Sequence, residues 1–420
     1  MRLRIGLIII LISIFSYHAA FANEILTWKD CLIEASRNHP DLISAGEVIK
    51  QSESNKFIAA SQNYPQISAD GKISTTYTKG LGSANHFSYG LSANQLLFDG
   101  FNTIYQIKAA KENINVSRES FRFISGQVRW RLKTAFIEVL KNQKLIQLAE
   151  DILKIRQQNL QLITLRYKSG MEHRGALLTS QANVAQAEFE IKEAKRSLLL
   201  AQRQLNKEMG KEEFSTVSVN GNFFINLDFN QMPEFKILAE KNPNYLKAVA
   251  QKNAAGYEIE SSRAEFVPKI SLSGDIGRSG NSWPADQTDS GASLNVSLPI
   301  FEGGSRVAQL SKAKSQYRQL QANEVSSKDG IIVSLQESWN ALANAVETIE
   351  VQNKFMQAAE ERSKIAEAQY SVGSITFDNW TIIQDDLVRQ KKNLLDAQAN
   401  ALLAQANWIQ AQGETLEYEE

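Results

Sequence analysis

Between residues 101 and 210, and again between 304 and 413, apolar side chains recur at every seventh position. Leu177, Val184, Ile191, Leu198 and Leu205 form one column, and Trp380, Leu387, Leu394, Ala401 and Trp408 form its counterpart. A third column runs through Val139, Ile146, Leu153, Leu160 and Tyr167. Its counterpart is Leu342, Ile349, Met356, Ser363 and Tyr370, with one polar member. A sustained period of seven predicts long helices in a left-handed coiled coil, with the columns buried. Four shorter segments keep a period of two: Pro65 to Thr78, His86 to Phe98, Pro268 to Arg278 and Ser290 to Ile300. In the first, Ile67, Ala69, Ile73 and Tyr77 alternate with Ser68, Asp70, Lys72 and Ser74. In the others, Leu91, Leu272, Leu294 and Val296 alternate with Ser92, Asn94, Ser273, Asp275 and Asn295. Such alternation predicts strands with one apolar and one polar face.

The whole pattern is written twice. Pro40, Pro65, Phe98, Tyr167 and Gly170 recur as Pro243, Pro268, Phe301, Tyr370 and Gly373, each displaced by 203 positions. The first repeat spans 23–212, with a helix, a hairpin over 65–98 and a long helix pair over 101–210. The second spans 234–413, with a hairpin over 268–301 and a helix pair over 304–413. A segment over 213–233 joins them, and an acidic tail follows over 414–420. None of the seven prolines falls between Pro65 and Pro233 or after Pro299, which leaves room for uninterrupted helices. The outgoing helices, Phe101 to Lys168 and Ser305 to Ser371, stop at Gly170 and Gly373, residues suited to a left-handed C-terminal cap. At 1.5 Å per residue each would be about 100 Å long, a length that suits crossing a compartment better than filling a globular core.

Composition limits the partners. The chain carries 46 basic and 46 acidic residues, so no charge excess points to nucleic acid. Residues 1–22 read as a secretory signal: Arg2 and Arg4, an apolar run from Ile5 to Phe15, then Ala20-Phe21-Ala22. The lone Cys31 permits no internal disulfide and reads as a small apolar helix residue. The four histidines are scattered, and no metal-ligand spacing, phosphate loop or nucleophile elbow is present. The sequence therefore gives no catalytic, cofactor-binding or metal site, and the chain is not expected to be an enzyme.

Strands of ten to thirteen residues suit a membrane barrel, or else two hairpins packed on a soluble domain. Export and the length of the helices favour the barrel. Four strands cannot close one; about eight fill their own interior, and twelve, from three copies, can enclose water. A periplasmic coiled-coil adaptor or scaffold without a barrel is the alternative, but it would carry one helical hairpin between β domains rather than two pairs at equal spacing.

Several motifs together resemble the TolC-like outer-membrane efflux proteins. They are Asp30-Cys31-Leu32 running into Asn38-His39-Pro40-Asp41-Leu42, strand starts at Pro65 and Pro268, the junctions Leu97-Phe98-Asp99-Gly100 and Ile300-Phe301-Glu302-Gly303-Gly304, and two Tyr-x-x-Gly turns. The resemblance implies a mainly α chain with a membrane β-barrel portion, assembled as a homotrimer. One shared barrel would sit in outer-membrane lipid and a helical tunnel would extend into the periplasm. It further implies a periplasmic adaptor (membrane fusion) protein and an inner-membrane RND or ABC transporter, the whole forming a tripartite efflux or type I secretion system.

The resemblance also places the periplasmic tips at Gly170, Met171, Gly373 and Ser374, where an adaptor would dock. Family members often line the entrance with aspartates. Asn379 and Ile382 stand at those positions here, so Glu172, Tyr370 and Asp378 are the candidates for the constriction. A plain alternative for these acids is a solvated helix start complementing the helix dipole. In the barrel, Asp70, Lys72, Asn94, Ser273, Asp275 and Asn295 are expected toward water, and Leu91, Leu272, Leu294 and Val296 toward lipid.

Overall fold

The computed structural model describes residues 24–211, 216–225 and 232–417. The leader read at 1–22 lies outside the described residues, as do parts of the joining segment and of the tail. The elements are β1 (Glu24–Leu26), α1 (Trp28–Asn38), α2 (Pro40–Ser61), β2 (Gln66–Thr78), β3 (Gly82–Phe98), α3 (Asn102–Lys168) and α4 (Arg174–Glu208) in the first repeat. β4 (Val217–Val219) leads into α5 (Phe235–Lys241), α6 (Pro243–Ala264), β5 (Lys269–Gly280), β6 (Gln287–Ser297), α7 (Ser305–Ser371) and α8 (Phe377–Gln412). Both outgoing helices are 67 residues long. Among the described residues no helix is long and apolar enough to cross a membrane.

Local chemistry sets the helix ends. Thr27 accepts from the Asp30 N–H while Asp30 accepts from the Thr27 N–H at 2.9 Å, a reciprocal capping box. His39 and Asn242, equivalent by the repeat, each cap a helix that begins with proline. Each also reaches the end of a long helix: His39 Nε2 lies 3.5 Å from Glu208, and Asn242 donates to the Ala411 carbonyl at 3.0 Å. One tie is thus made twice with different chemistry. Around it lies the main core, in which Cys31, Leu132, Val139, Leu205, Met209, Val217 and Leu402 are buried together.

The sheet is antiparallel in the order β2-β3-β5-β6, so each hairpin supplies one outer and one inner strand and two edges remain open. Two strand limits differ from the alternation. β3 begins at Gly82 rather than His86, because a tight turn lets Thr78 pair with Gly82, and residues 82–85 are too small and polar to show a pattern. β6 covers Gln287–Ser297 rather than Ser290–Ile300; Pro299 has no N–H to give to a ladder. The parallel pair β1–β4 had no usable signal, since three residues show no period. One column member also departs from expectation: Tyr167 is 39% exposed, whereas Tyr370 is 1% exposed. Trp380 stacks on Tyr370, and its counterpart on α4 is only Leu177.

Gly210 and Gly413 end the returning helices with φ of 72° and 83°, and a Cβ at either would lie 2.4 Å from the nearest atom, the Asn38 carbonyl oxygen or Pro243 Cδ. Gly210→Ala is expected to cost roughly 2 kcal/mol through left-handed strain and this clash. Thermal unfolding followed by circular dichroism checks this. Gly46→Ala, a helical position with open space, should leave the midpoint unchanged or raise it.

Candidate functional site

The far end of each long helix pair is a short turn built the same way twice. The Met171 N–H donates to the Arg166 carbonyl at 2.8 Å and Gly170 to Tyr167 at 3.0 Å. In the second repeat Ser374 donates to Gln369 at 2.8 Å and Gly373 to Tyr370 at 3.0 Å. Both are Schellman caps, which require the positive φ that Gly170 and Gly373 adopt, 74° and 79°. His173 then caps α4 by accepting from the Ala176 N–H, and Thr376 caps α8 by accepting from Asn379. Neither glycine has any atom near its absent Cβ, and Met171 and Ser374 are exposed. Both turns are therefore exposed in the single chain.

Just behind them the second repeat carries a cluster that the first lacks. Tyr370 stacks on Trp380 with centroids 4.5 Å apart and an interplanar angle of 6°, and Phe377 closes the side. The Arg166 guanidinium sits 4.7 Å over the Tyr370 ring and donates to the Tyr370 carbonyl at 3.1 Å. From the other side the Tyr370 hydroxyl donates to Glu172 at 2.6 Å. A side chain of the α3–α4 turn thereby holds the end of α7. Burial of the phenol, then the hydrogen bond to the Glu172 carboxylate, push the Tyr370 pKa well up. Its proton, and so the donor, stays in place throughout the neutral range.

The structure thus joins two of the three constriction candidates, Glu172 and Tyr370. Asp378 stands apart, exposed in the first turn of α8. Sequence reasoning placed Trp380 only in a buried column and did not single out Arg166. The repeat held a usable hint, since Gln369 and Leu177 replace them at equivalent positions. Deeper along the pair, Arg156 donates to Asp385 at 2.5 Å. Arg389, with Gln390 and Arg362 beside it, holds Asp386 below the usual carboxylate range. Among the described residues no cluster of His, Cys, Asp or Glu could hold a metal.

At the other end, the register sorts the sheet into two faces. Pairs Lys72–Ser88, Asp70–Gly90, Ser92–Asp275, Asn94–Ser273 and Ser271–Asn295 put Asp70, Lys72, Asn94, Ser273, Asp275 and Asn295 on one face. Ala69–Leu91, Leu91–Ile276, Leu272–Leu294 and Ile270–Val296 put the apolar residues on the other. Ser92 donates to Asp70 at 3.2 Å, and Ser273 and Ser293 share a bond of 2.8 Å, so the polar face is cross-linked between strands. On the apolar face Leu91, Leu294 and Val296 are each more than half exposed in the single chain. Aromatic rings mark both ends of the sheet. Phe87 and Tyr89 lie 6.1 and 5.4 Å from Trp283 near the turns, and Phe98 lies 5.7 Å from Phe101 at the helical end.

Known proteins share this arrangement. A model of the outer membrane efflux protein family matches residues 32–211 and 236–414, one stretch per repeat. The chain is 22% identical over 383 residues to the outer membrane efflux protein BepC of Brucella suis, covering 90% of this chain and 83% of that one. It is 22% identical over 385 residues to the cation efflux system protein CusC of Escherichia coli, covering 88% and 82%. A solved structure of CusC superposes with a TM-score of 0.82 at 19% identity, covering 92% of each chain. The matched stretches take in both hairpins and both long helix pairs, so the adaptor alternative falls away. This chain belongs to the family of outer membrane efflux proteins.

Proposed function

We propose that three copies of this chain form the exit duct of a tripartite efflux or type I secretion system, with the sheet in the outer membrane and the helices in the periplasm. The observation that carries this reading is the sheet itself. It has one mainly apolar face, interrupted by Gln95 and Arg278, one polar face and two open edges, and in lipid each edge needs a partner strand. Three copies supply twelve strands, enough to surround a water-filled lumen lined by Asp70, Lys72, Asn94, Asp275 and Asn295. The aromatic rings at both ends of the sheet suit the two membrane interfaces. An RND or ABC transporter in the inner membrane selects the cargo, and a periplasmic adaptor protein docks on the exposed turns at Gly170, Met171, Gly373 and Ser374.

The Tyr370–Glu172 bond then acts as a latch at the tunnel entrance. It ties the inner end of α7 to the turn of its neighbour, so opening requires breaking one hydrogen bond to a carboxylate and sliding Tyr370 from under Arg166. A hydrogen bond to a charged group contributes about 1.5–3 kcal/mol. Tyr370→Phe or Glu172→Gln should therefore raise open-state occupancy by about tenfold or more in planar-bilayer recordings, with assembly intact. Unchanged conductance in both variants would leave the bond a purely structural one. Asp378→Asn should alter cation preference if three copies of this carboxylate converge on the axis. Gly170→Val and Gly373→Val should impair export while the barrel still forms, because neither turn tolerates a branched residue at positive φ.

The barrel assignment is checked by mass measurement of the detergent-solubilised protein, expected to be a trimer recovered from the outer membrane. Arg at Leu91 or Leu294 should cost roughly 2–4 kcal/mol at mid-membrane, and Arg at Asn94 or Ser273 much less. Single cysteines at the polar set should react with a water-soluble thiol reagent applied through the lumen, and those at the apolar set should not. Equal labelling of both sets would contradict the assignment of faces.

A further inference from the structure

Two polar side chains interrupt the apolar face of the sheet, and only one of them is satisfied within the chain. Gln95, at the helical end, donates to the Asn63 and Leu96 carbonyls at 3.0 and 2.7 Å. Arg278, near the other end, is exposed, and its guanidinium makes no hydrogen bond or ion pair with any described residue. The acids of the strands, Asp70, Asp275 and Asp289, all lie on the polar face, Asp289 through its pairing with Gly277. Every copy carries the same strands, so no neighbouring copy brings an acid to this face either. The one acid of the β5–β6 turn, Asp286, lies against Gly280, 2.9 Å from where a Cβ would stand there, and is not paired with Arg278.

The depth of Arg278 along the barrel narrows what can pair with it. Ile270, which pairs with Phe98, and Arg278, which pairs with Tyr89, are eight residues apart on β5. At about 3.3 Å per residue and a strand tilt of about 35–45°, that is roughly 20 Å of membrane depth, against an apolar band about 25 Å tall. Phe98 and Phe101 mark the helical margin of that band, so Arg278 stands at the outer one. Its long apolar stem lets the charge reach the headgroups from there. The neighbours fit that level. Register places Gly71, Tyr89, Arg278 and Thr288 in one row across the four strands. Trp283 lies 5.4 Å from Tyr89 and is 67% exposed, and no atom lies within 4 Å of where a Gly71 Cβ would stand. The row thus offers a guanidinium, a phenol and a hydroxyl beside an open indole. The first repeat has no equivalent, since Thr75 stands at the position that corresponds to Arg278.

We infer that Arg278, with Tyr89 and Thr288 beside it, binds the phosphate of an anionic lipid in the outer leaflet, and that Trp283 packs on the upper part of its acyl chains. This rests on the barrel reading above and adds a lipid site to it, one per chain and on the second repeat alone. A guanidinium meets phosphate oxygens with paired N–H donors, and the attraction is stronger at the edge of hydrocarbon than in open water. The lipid supplies the counter-ion that no copy of the chain can supply, and it holds the β5–β6 hairpin at one depth in the membrane. A zwitterionic lipid carries its own cation beside the phosphate and competes less well for the same place.

Fluorescence quenching tests this at a single residue, because Trp283 is the one tryptophan outside the helices; the others are Trp28, Trp130, Trp339, Trp380 and Trp408. The full chain is reconstituted in vesicles of phosphatidylcholine brominated near the top of its acyl chains, and unbrominated lipid is titrated in. Phosphatidylglycerol should relieve the quenching at a mole fraction about fivefold lower than unbrominated phosphatidylcholine needs, the factor expected for one basic residue at a charged membrane surface. Arg278→Gln should still be quenched but should treat the two lipids alike. Arg278→Lys, which keeps the charge, should retain most of the preference. Excess inorganic phosphate in the buffer should leave the wild-type preference in place. No preference in the wild-type protein, a preference kept by Arg278→Gln, or one removed by inorganic phosphate overturns the lipid site and leaves the channel reading standing. A Trp283 that no brominated lipid quenches overturns the channel reading itself.

Discussion

Everything in this molecule follows from a sheet that cannot be finished by its own chain. Four antiparallel strands with an apolar face leave two edges of unpaired N–H and C=O groups, and hydrocarbon offers those groups no partner. In water such an edge would invite aggregation; in a membrane it must be closed. Two hairpins make one wall segment, and only further copies of the same segment complete the circle. Oligomerisation is thus imposed by backbone hydrogen bonding at one end of the chain and then transmitted along helices about 100 Å long to the other.

Duplication makes that transmission workable. In the proposed trimer each hairpin feeds its own helix pair, so that α3–α4 and α7–α8 alternate around one axis and each meets a neighbour on both sides. The two repeats have diverged where their tasks differ. Near the middle, His39 and Asn242 make one tie with different groups, so the fold tolerates the exchange. At the tips the repeats are no longer interchangeable. Tyr370 is enclosed by Trp380, Arg166 and Glu172, while Tyr167 is partly open. The proposed latch needs only one mobile partner, and the enclosed ring lies on α7, whereas Arg166 and Glu172 belong to α3 and its turn.

Much of this was legible in the sequence because long-range order was encoded as period. The columns of seven and the displacement of 203 give helix lengths and ends nearly to the residue, and alternation assigns Leu91, Leu272, Leu294 and Val296 to one sheet face. What stayed hidden lacked a period. The β1–β4 pair is three residues long, and residues 82–85 join β3 through turn geometry alone. The entrance was harder. Glu172 and Tyr370 are 198 positions apart, and nothing local announces that one turn folds against the other helix. In sequence Arg166 is one basic residue in the last turn of a helix, where it complements the dipole. Its stacking on Tyr370 depends on how the two helix pairs lean together, which periodicity does not specify.

The central claim is that separate chains close one continuous conduit from barrel to tip, and imaging the solubilised particle tests it most directly. An averaged electron-microscopy map should show three-fold symmetry, a β-barrel at one end, and below it a ring of twelve helices around an open lumen. A particle whose cross-section shows four packed helices with no central channel would contradict it.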